Sequence, residues 1–322
     1  MVSVRQAVAA AVLAIASAAS MAQAYPAKSI QMIMPLQAGS SVDVGMRIVT
    51  QKMAESMGQQ IVIDNQPGAA GLIGTERFMR SNPDGYTLAT LNDSILTMIP
   101  NLYKKVAYDP LKSFQPISLV AGNTWLLVAH PQLPVKTARD LVALAKARPG
   151  EINYSSGGNG SPQHIAMAMF EAATGAKMTH VPYKGTTQAT LDVIGGQIPV
   201  MFSATSLVIE EIRAGKLRAL GGGGLKRLAL LPNVPTVAES GVPGFDFTTW
   251  MAILAPLNTP KEIVSRIHAE ILKALAQPDA KDRLISIGFE IEGSTPEKLA
   301  EVTKARLEQM QKIIKGAGIT VQ

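Results

Sequence analysis

The chain has 322 residues, 47% of them hydrophobic and 17% charged, with a formal net charge of +6, which is enough length and apolar content for two packed domains. It contains no cysteine, so disulfides, thiolate metal sites, a cysteine nucleophile and a lipid-modified N-terminal cysteine are excluded. Lys and Arg are scattered in runs no longer than two, with few aromatics between them, a pattern that predicts no nucleic-acid partner.

In chain order, the first feature is Arg5, an uncharged apolar run over residues 6–20 and then Met21-Ala22-Gln23-Ala24. This is the layout of a secretory signal peptide cleaved after Ala24, because the run falls short of the roughly 20 residues a spanning helix needs. The periodicity then predicts a strand at 30–35, a loop at 36–41 and an amphipathic helix at 42–57 stopped by Gly58. A strand at 61–63, the turn Asn65-Gln66-Pro67-Gly68-Ala69-Ala70-Gly71, a short helix and the turn Asn82-Pro83-Asp84-Gly85 lead to a strand at 86–91.

The central third repeats the pattern. A strand at 126–129 precedes a helix that opens at Thr137 and ends at Pro149-Gly150, and a strand at 152–154 precedes a helix capped by Ser161, with Pro162 in its first turn. Strands at 180–183, 198–202 and 217–220 alternate with helices at 186–194 and 206–214. Gly221-Gly222-Gly223-Gly224 lacks the lysine of a phosphate loop and reads as a flexible turn between domains. The apolar run 247–255 contains Trp250, expected at a hinge or in the core, and two capping boxes at Thr259 and Ser294 open the last helices. Such alternation predicts an α/β fold with mainly parallel sheets flanked by helices.

Catalytic signatures are missing. His130, His164, His180 and His268 lie far apart without ligand spacing, and neither a nucleophile elbow nor a phosphate loop occurs, so the expectation is no enzyme, no metal and no cofactor. What recurs is a strand, a short small-residue loop and a helix start, at Ala38-Gly39-Ser40-Ser41, Pro67-Gly68-Ala69-Ala70-Gly71, Ser155 to Ser161, Lys184-Gly185-Thr186 and Ser203 to Ser206. Such loops aim free amides and the positive end of a helix dipole at an anion, in the crevice where α/β sheets bind ligands. None of them carries Arg, so an anion there rests on amides and hydroxyls.

Several segments point to a family: Pro35-Leu36-Gln37-Ala38-Gly39-Ser40-Ser41-Val42-Asp43, Asn65-Gln66-Pro67-Gly68-Ala69-Ala70-Gly71, Pro83-Asp84-Gly85-Tyr86, Leu102-Tyr103-Lys104-Lys105 with Tyr108-Asp109-Pro110, Val181-Pro182-Tyr183-Lys184-Gly185 and Pro232-Asn233-Val234-Pro235-Thr236. From residue 25 to 322 the chain resembles the Bug/TctC substrate-binding proteins of tripartite tricarboxylate transporters. The resemblance implies a two-lobed type II periplasmic-binding (Venus flytrap) fold, with lobe 1 over residues 25–123 and 250–322, lobe 2 over 124–249, and a carboxylate gripped between them. Carried over by position, one pincer is Gly39, Ser40, Ser41 and Asp43 with Ala69 and Ala70 beside it. The other is Ser156, Gly157, Gly160, Ser161 and His164, with Tyr183 nearby. Ser203 stands where the family often has Asp, and is expected either to face the ligand as a neutral donor or to cap the next helix.

The implied partners are a small carboxylate, a di- or tricarboxylate or an aromatic acid, and integral membrane permease subunits. The protein itself is expected to be monomeric and periplasmic. Two alternatives stay open: a module signalling to a membrane sensor, and a cleft enzyme using Asp43 and His164 as acid and base.

Overall fold

A computed structural model describes residues 25–316 and 318–320; the signal peptide read at residues 1–24 lies outside the described residues. Among the described residues no helix is long and apolar enough to cross a membrane.

The first half is built on β1 (Ile30–Met34), whose Ile-Gln-Met-Ile-Met sequence is buried almost throughout, as expected of a parallel strand covered on both faces. It lies between β2 (Ile61–Asn65) and β3 (Thr87–Asn92), parallel to both. Helix α1 (Ser41–Met57) is capped by Ser40 and stopped by Gly58 at φ 67°, a left-handed position that suits glycine. Helix α2 (Leu72–Met79) precedes β3, and a π-turn over Ser94–Met98 runs into the short α3 (Ile99–Leu102).

The chain then enters β4 (Phe114–Ala129), a 16-residue strand of which the sequence pattern reveals only the end. Pro116 and the polar Gly122-Asn123-Thr124 disguise its first part. The ladder absorbs the proline through a register shift between Pro116 and Ser118, where a missing N–H does least harm. The first part of β4 pairs antiparallel with β9 (Thr248–Pro256) and β10 (Phe289–Ile291). Its last residues pair with β7 (Val200–Ala204) and β8 (Arg218–Gly222).

The second half adds α4 (Ala138–Ala147), β5 (Asn153–Ser156), α5 (Pro162–Thr174), β6 (Thr179–Pro182), α6 (Thr186–Ile194) and α7 (Thr205–Arg213), with β5 parallel to β6 and β7. After β9 come α8 (Lys261–Ala276), α9 (Pro278–Ser286), β10 and α10 (Pro296–Gly316). The sheet order β2-β1-β3-β9-β4-β7-β5-β6 is thus parallel in its wings and antiparallel at its centre.

Each half is a sheet with apolar packing on both faces, and strand alternation sorts the side chains. Met32 and Met34 face a cluster with Val49 and Ile271, while Ile33 faces one with Leu91 and Trp250. In the second half Leu127 packs with Phe170 and Phe202, whereas Leu126 and Val128 pack with Met201 and Val208.

Two sequence readings need correction. The final helix begins on the first half at Leu299, but Met310, Ile314 and Ile319 pack into the core around Leu127, so 250–322 does not belong to one lobe alone. The four glycines 221–224 are not a flexible turn. All are buried, and Gly223 donates to Trp125 O at 2.7 Å while its carbonyl accepts from Phe247 N at 2.7 Å. A Cβ on Gly223 meets Phe247 O at 2.8 Å and Trp125 O at 3.1 Å, so glycine is required by the close approach of two backbones.

Candidate functional site

Between the two halves lies a cavity of about 510 Å³. The first half contributes Ser40, Ser41 and Val42 at the start of α1 together with Ala69 and Ala70; the second contributes Gly157, Ser161 and Gln163 around the start of α5, and Gly185 and Thr186 at the start of α6. The first amides of a helix have no acceptor within it, so Ser41 and Val42 bring free N–H groups to this wall. Ala69 and Ala70 sit at φ 46° and 55°, a left-handed pair that non-glycine residues adopt only at some cost in strain. Lys184 is the single charged residue in the lining, and it is exposed.

Hydrogen bonds tie the halves together around the cavity. Gln37 Nε2 donates to Lys184 O at 3.2 Å, Thr187 Oγ1 to Ala38 O at 3.4 Å, Ser206 Oγ to Ser41 Oγ at 2.7 Å and Ser94 Oγ to Gly160 O at 3.3 Å. The halves are therefore in contact over the cleft.

Of the residues expected from sequence, Ser40, Ser41, Ala69, Ala70, Gly157, Ser161 and Tyr183 line this cavity; Gly39, Asp43, Ser156, Gly160, His164 and Ser203 do not. Asp43 is occupied elsewhere. It accepts from Gly39 N at 2.9 Å, Arg47 Nε at 2.9 Å and Asn65 Nδ2 at 3.0 Å. Burial pushes its carboxyl up, but those donors outweigh it and hold the group below the usual carboxylate range. It is an anion that braces the loop in front of α1.

His164 braces the opposite loop by accepting the Gly160 N–H at Nδ1, 3.1 Å away, and its ring stacks on His180 with centroids 4.3 Å apart. His180 Nε2 lies 2.6 Å from Ser156 Oγ. Burial pushes both imidazoles down, His180 to about 4 with repulsion from His164 adding to the effect, so both are neutral near pH 7. Neither Asp43 nor His164 borders the cavity, and the acid–base pair of the cleft-enzyme reading is not assembled there.

Tyr183 lines the cavity with its hydroxyl committed to Asp192 at 2.6 Å. Ser203 is fully buried, pairs with Leu126 across the β4–β7 ladder and donates to Ala204 O at 3.5 Å. The α7 N-cap is Ala204, without a side-chain cap bond. Ser203 therefore neither faces the cavity nor caps the helix, because strand alternation turns it into the sheet.

The pattern overlooks Asn123, Gln163 and Trp250, all of which line the cavity. Asn123 Nδ2 donates to Ser41 Oγ at 2.5 Å and Gln163 Nε2 to Thr186 Oγ1 at 3.0 Å. Asn123 Oδ1, Gln163 Oε1 and Trp250 Nε1 are buried without a partner among the described residues. Two signals for them existed: a polar Asn in the middle of an apolar strand, and a Gln in the first turn behind the Ser161-Pro162 cap. The described residues hold no cluster of His, Asp or Glu able to bind a metal.

Two sheet-and-helix halves meeting over an enclosed crevice define a protein of the periplasmic-binding class. Residues 46–319 match the tripartite tricarboxylate transporter family receptor, and the chain belongs to that family. It is 36% identical over 276 residues to protein BugT of Bordetella pertussis (strain Tohama I), which covers 85% of this chain and 83% of BugT. Among solved structures, R. palustris Rpa4515 with adipate is 30% identical with a TM-score of 0.89, covering 92% of this chain and 99% of that one. MatC from Rhodopseudomonas palustris with bound malate is 28% identical with a TM-score of 0.86, covering 90% and 100%.

Proposed function

We propose that this chain is the periplasmic component that captures a small carboxylate and presents it to the membrane permease subunits of a tripartite tricarboxylate transporter, with no reaction catalysed. The observation that carries this reading is the lining of the cavity: amides and hydroxyls at helix starts from both halves, one exposed Lys and no Asp or Glu. An anion is the ligand that such a surface favours, since free N–H groups and helix dipoles act together there. The likeness to structures holding adipate and malate supports the same class. The carboxylate rests on the Ser40–Val42 start of α1 and is met from the other side by Gly157, Ser161 and Thr186. Residues 25–123 with the first part of 250–322 move as one lobe and 124–249 as the other, and the four ties across the cleft belong to the closed state. The same reading takes residues 1–24 as an export leader.

The test is a melting and calorimetry series on the chain from Tyr25 onward with di-, tri- and aromatic carboxylates. A ligand that binds only the folded state adds about 2.7 kcal/mol at 100 times its dissociation constant. A broad panel that shifts nothing, or any product formed on incubation, contradicts the proposal.

A further inference from the structure

Among the described residues, Asn123 Oδ1, Gln163 Oε1 and Trp250 Nε1 are buried without a hydrogen-bond partner, and all three residues line the cavity between the halves. They come from three separate elements, β4, α5 and β9. A native protein leaves few buried polar groups unpaired, and a cluster of them around a cavity marks where a bound molecule completes the hydrogen bonding.

The three groups differ in what they can offer. An indole N–H is a donor and nothing else. The sense of an amide is fixed by its hydrogen-bond network, because its N and O occupy equivalent positions. With Asn123 turned, the Ser206 hydroxyl donates to Ser41 Oγ, the Ser41 hydroxyl donates to Asn123 Oδ1, and Nδ2 is released toward the cavity. With Gln163 turned, the Thr186 hydroxyl donates to Oε1 and Nε2 is released likewise. An anion selects these senses, and the unpaired capacity of the cavity then consists of donors only.

The amides and the indole also differ in position. Asn123 is bonded to Ser41 at the start of α1, and Gln163 to Thr186 at the start of α6, so both belong to the helix starts that hold the carboxylate. Trp250 is bonded to neither. It packs in the apolar wall with Ile95 and Leu36, which also line the cavity. We infer that Trp250 is a specificity-determining contact: its indole N–H binds a second oxygen acceptor of the ligand, across an apolar stretch from the carboxylate held by Ser41, Asn123, Gln163 and Thr186. The ligand class is an acid with two separated oxygen functions and no ammonium group, since no carboxylate side chain lines the cavity to pair with one. This inference rests on the carboxylate reading above.

The test compares straight-chain acids of four to eight carbons as matched sets (monocarboxylate, ω-hydroxy acid and α,ω-dicarboxylate) by calorimetry on the wild type and Trp250→Phe, which keeps the buried ring and removes the donor. At the best chain length the wild type is expected to favour the two acids carrying a second oxygen by roughly tenfold, the scale of one hydrogen bond to a partly desolvated acceptor. Trp250→Phe is expected to erase that preference, so that the three acids of a given length bind the variant alike. The sequence has only two tryptophans, and the Trp125 indole is already engaged by Thr249 Oγ1 at 2.8 Å. In 15N-indole spectra of the wild type, the ω-hydroxy acid and the dicarboxylate should therefore shift one of the two N–H signals and the monocarboxylate should not, a readout independent of how well the variant folds. A preference that survives in Trp250→Phe, or indole signals that respond alike to all three acids, overturns the inference and leaves the carboxylate site standing. If no acid of the series binds the wild type, the inferred ligand class is overturned, and the broader panel of di-, tri- and aromatic carboxylates decides separately whether the carboxylate reading stands.

Discussion

The mouth of the cleft offers a sharp test of closure. Gly185 lies against Gln37 of the opposite half, and a Cβ built on it falls 1.8 Å from Gln37 Oε1 and 1.9 Å from Cδ. Its φ of 174° is ordinary extended backbone, so alanine suffers no intrinsic strain there. The whole effect of Gly185→Ala is to displace the Gln37 amide and break its 3.2 Å bond to Lys184 O. That bond is exposed and neutral, so its loss is worth about 0.5–1.5 kcal/mol. Because the bond joins the two halves, in the proposed cycle its loss falls on the closed state alone and appears as weaker binding, by about 2- to 12-fold. Calorimetry with a carboxylate that binds the wild type measures it, and the unliganded melting temperature monitors the fold. Truncating the side chain in Gln37→Ala removes the obstacle, so adding Gly185→Ala to that variant should change nothing further. Equal affinity in the wild type and Gly185→Ala, or an undiminished loss in the Gln37→Ala background, refutes the reasoning.

Three other outcomes are expected. Asp43→Ala leaves the Gly39 N–H and the Asn65 amide without their acceptor, and urea denaturation should show about 2–4 kcal/mol less stability; wild-type stability would show that the loop needs no anion. His180 has a folded pKa of about 4 against an ordinary value of 6.5, so the folded state binds fewer protons than the unfolded one between those values. Its contribution is complete above 6.5 and is lost as pH falls toward 4, by roughly 1 kcal/mol after allowance for a half-exposed ring. Denaturation at pH 7 and pH 4.5 should show a smaller difference in His180→Asn than in the wild type. Gly223→Ala forces a methyl against two carbonyl oxygens that cannot yield and should cost about 1–3 kcal/mol. Gly224→Ala, whose Cβ meets nothing closer than a Thr248 methyl at 3.4 Å, should cost far less; equal losses would mean the crowding is not the cause.

The wings of the fold were legible because their signals are local. Ile30 to Met34 followed by a capped helix and Gly58, or Ser161-Pro162 followed by a helix closed at Gly175, carry their strand, cap and stop within a few residues of one another. The centre was not legible, since the first part of β4 is held by partners more than 120 residues away and contains a proline and a Gly-Asn-Thr stretch that single-segment reasoning treats as a break. The site divides the same way. The helix starts at Ser40-Ser41 and Ser161 announce themselves through capping chemistry. Whether a residue beside them turns inward depends on tertiary partners: Asp43 and His164 are drawn off by Arg47 and Gly160, Ser203 by strand alternation. Trp250 reads as core because a tryptophan in an apolar strand usually is, and it does pack with Ile33 and Leu91; what the pattern does not carry is that it also lines the cavity with its indole nitrogen unpaired.

The same centre holds the two halves of the cavity together. The halves are joined by β4 and β9, which cross side by side where Gly122, Asn123 and Thr124 pair with Trp250, Thr249 and Thr248, and by α10, which starts on one core and ends on the other. Arg306 in the middle of α10 donates to Thr248 O at 2.7 Å and to Asp93 Oδ2 at 3.1 Å. Asp93 is fully buried, and burial pushes its carboxyl up while Arg306 works against that. Removing one member of such a pair leaves an uncompensated charge inside the protein, so the helix is fastened to the point where the strands cross. In the proposed cycle, closure therefore bends two paired strands about a fixed point and does not slide the helix. Asn123 and Trp250 sit at that crossing, with polar atoms still unpaired. A ligand that supplies their missing partners does so where the two halves join, and its hydrogen bonds hold the hinge as well as the acid.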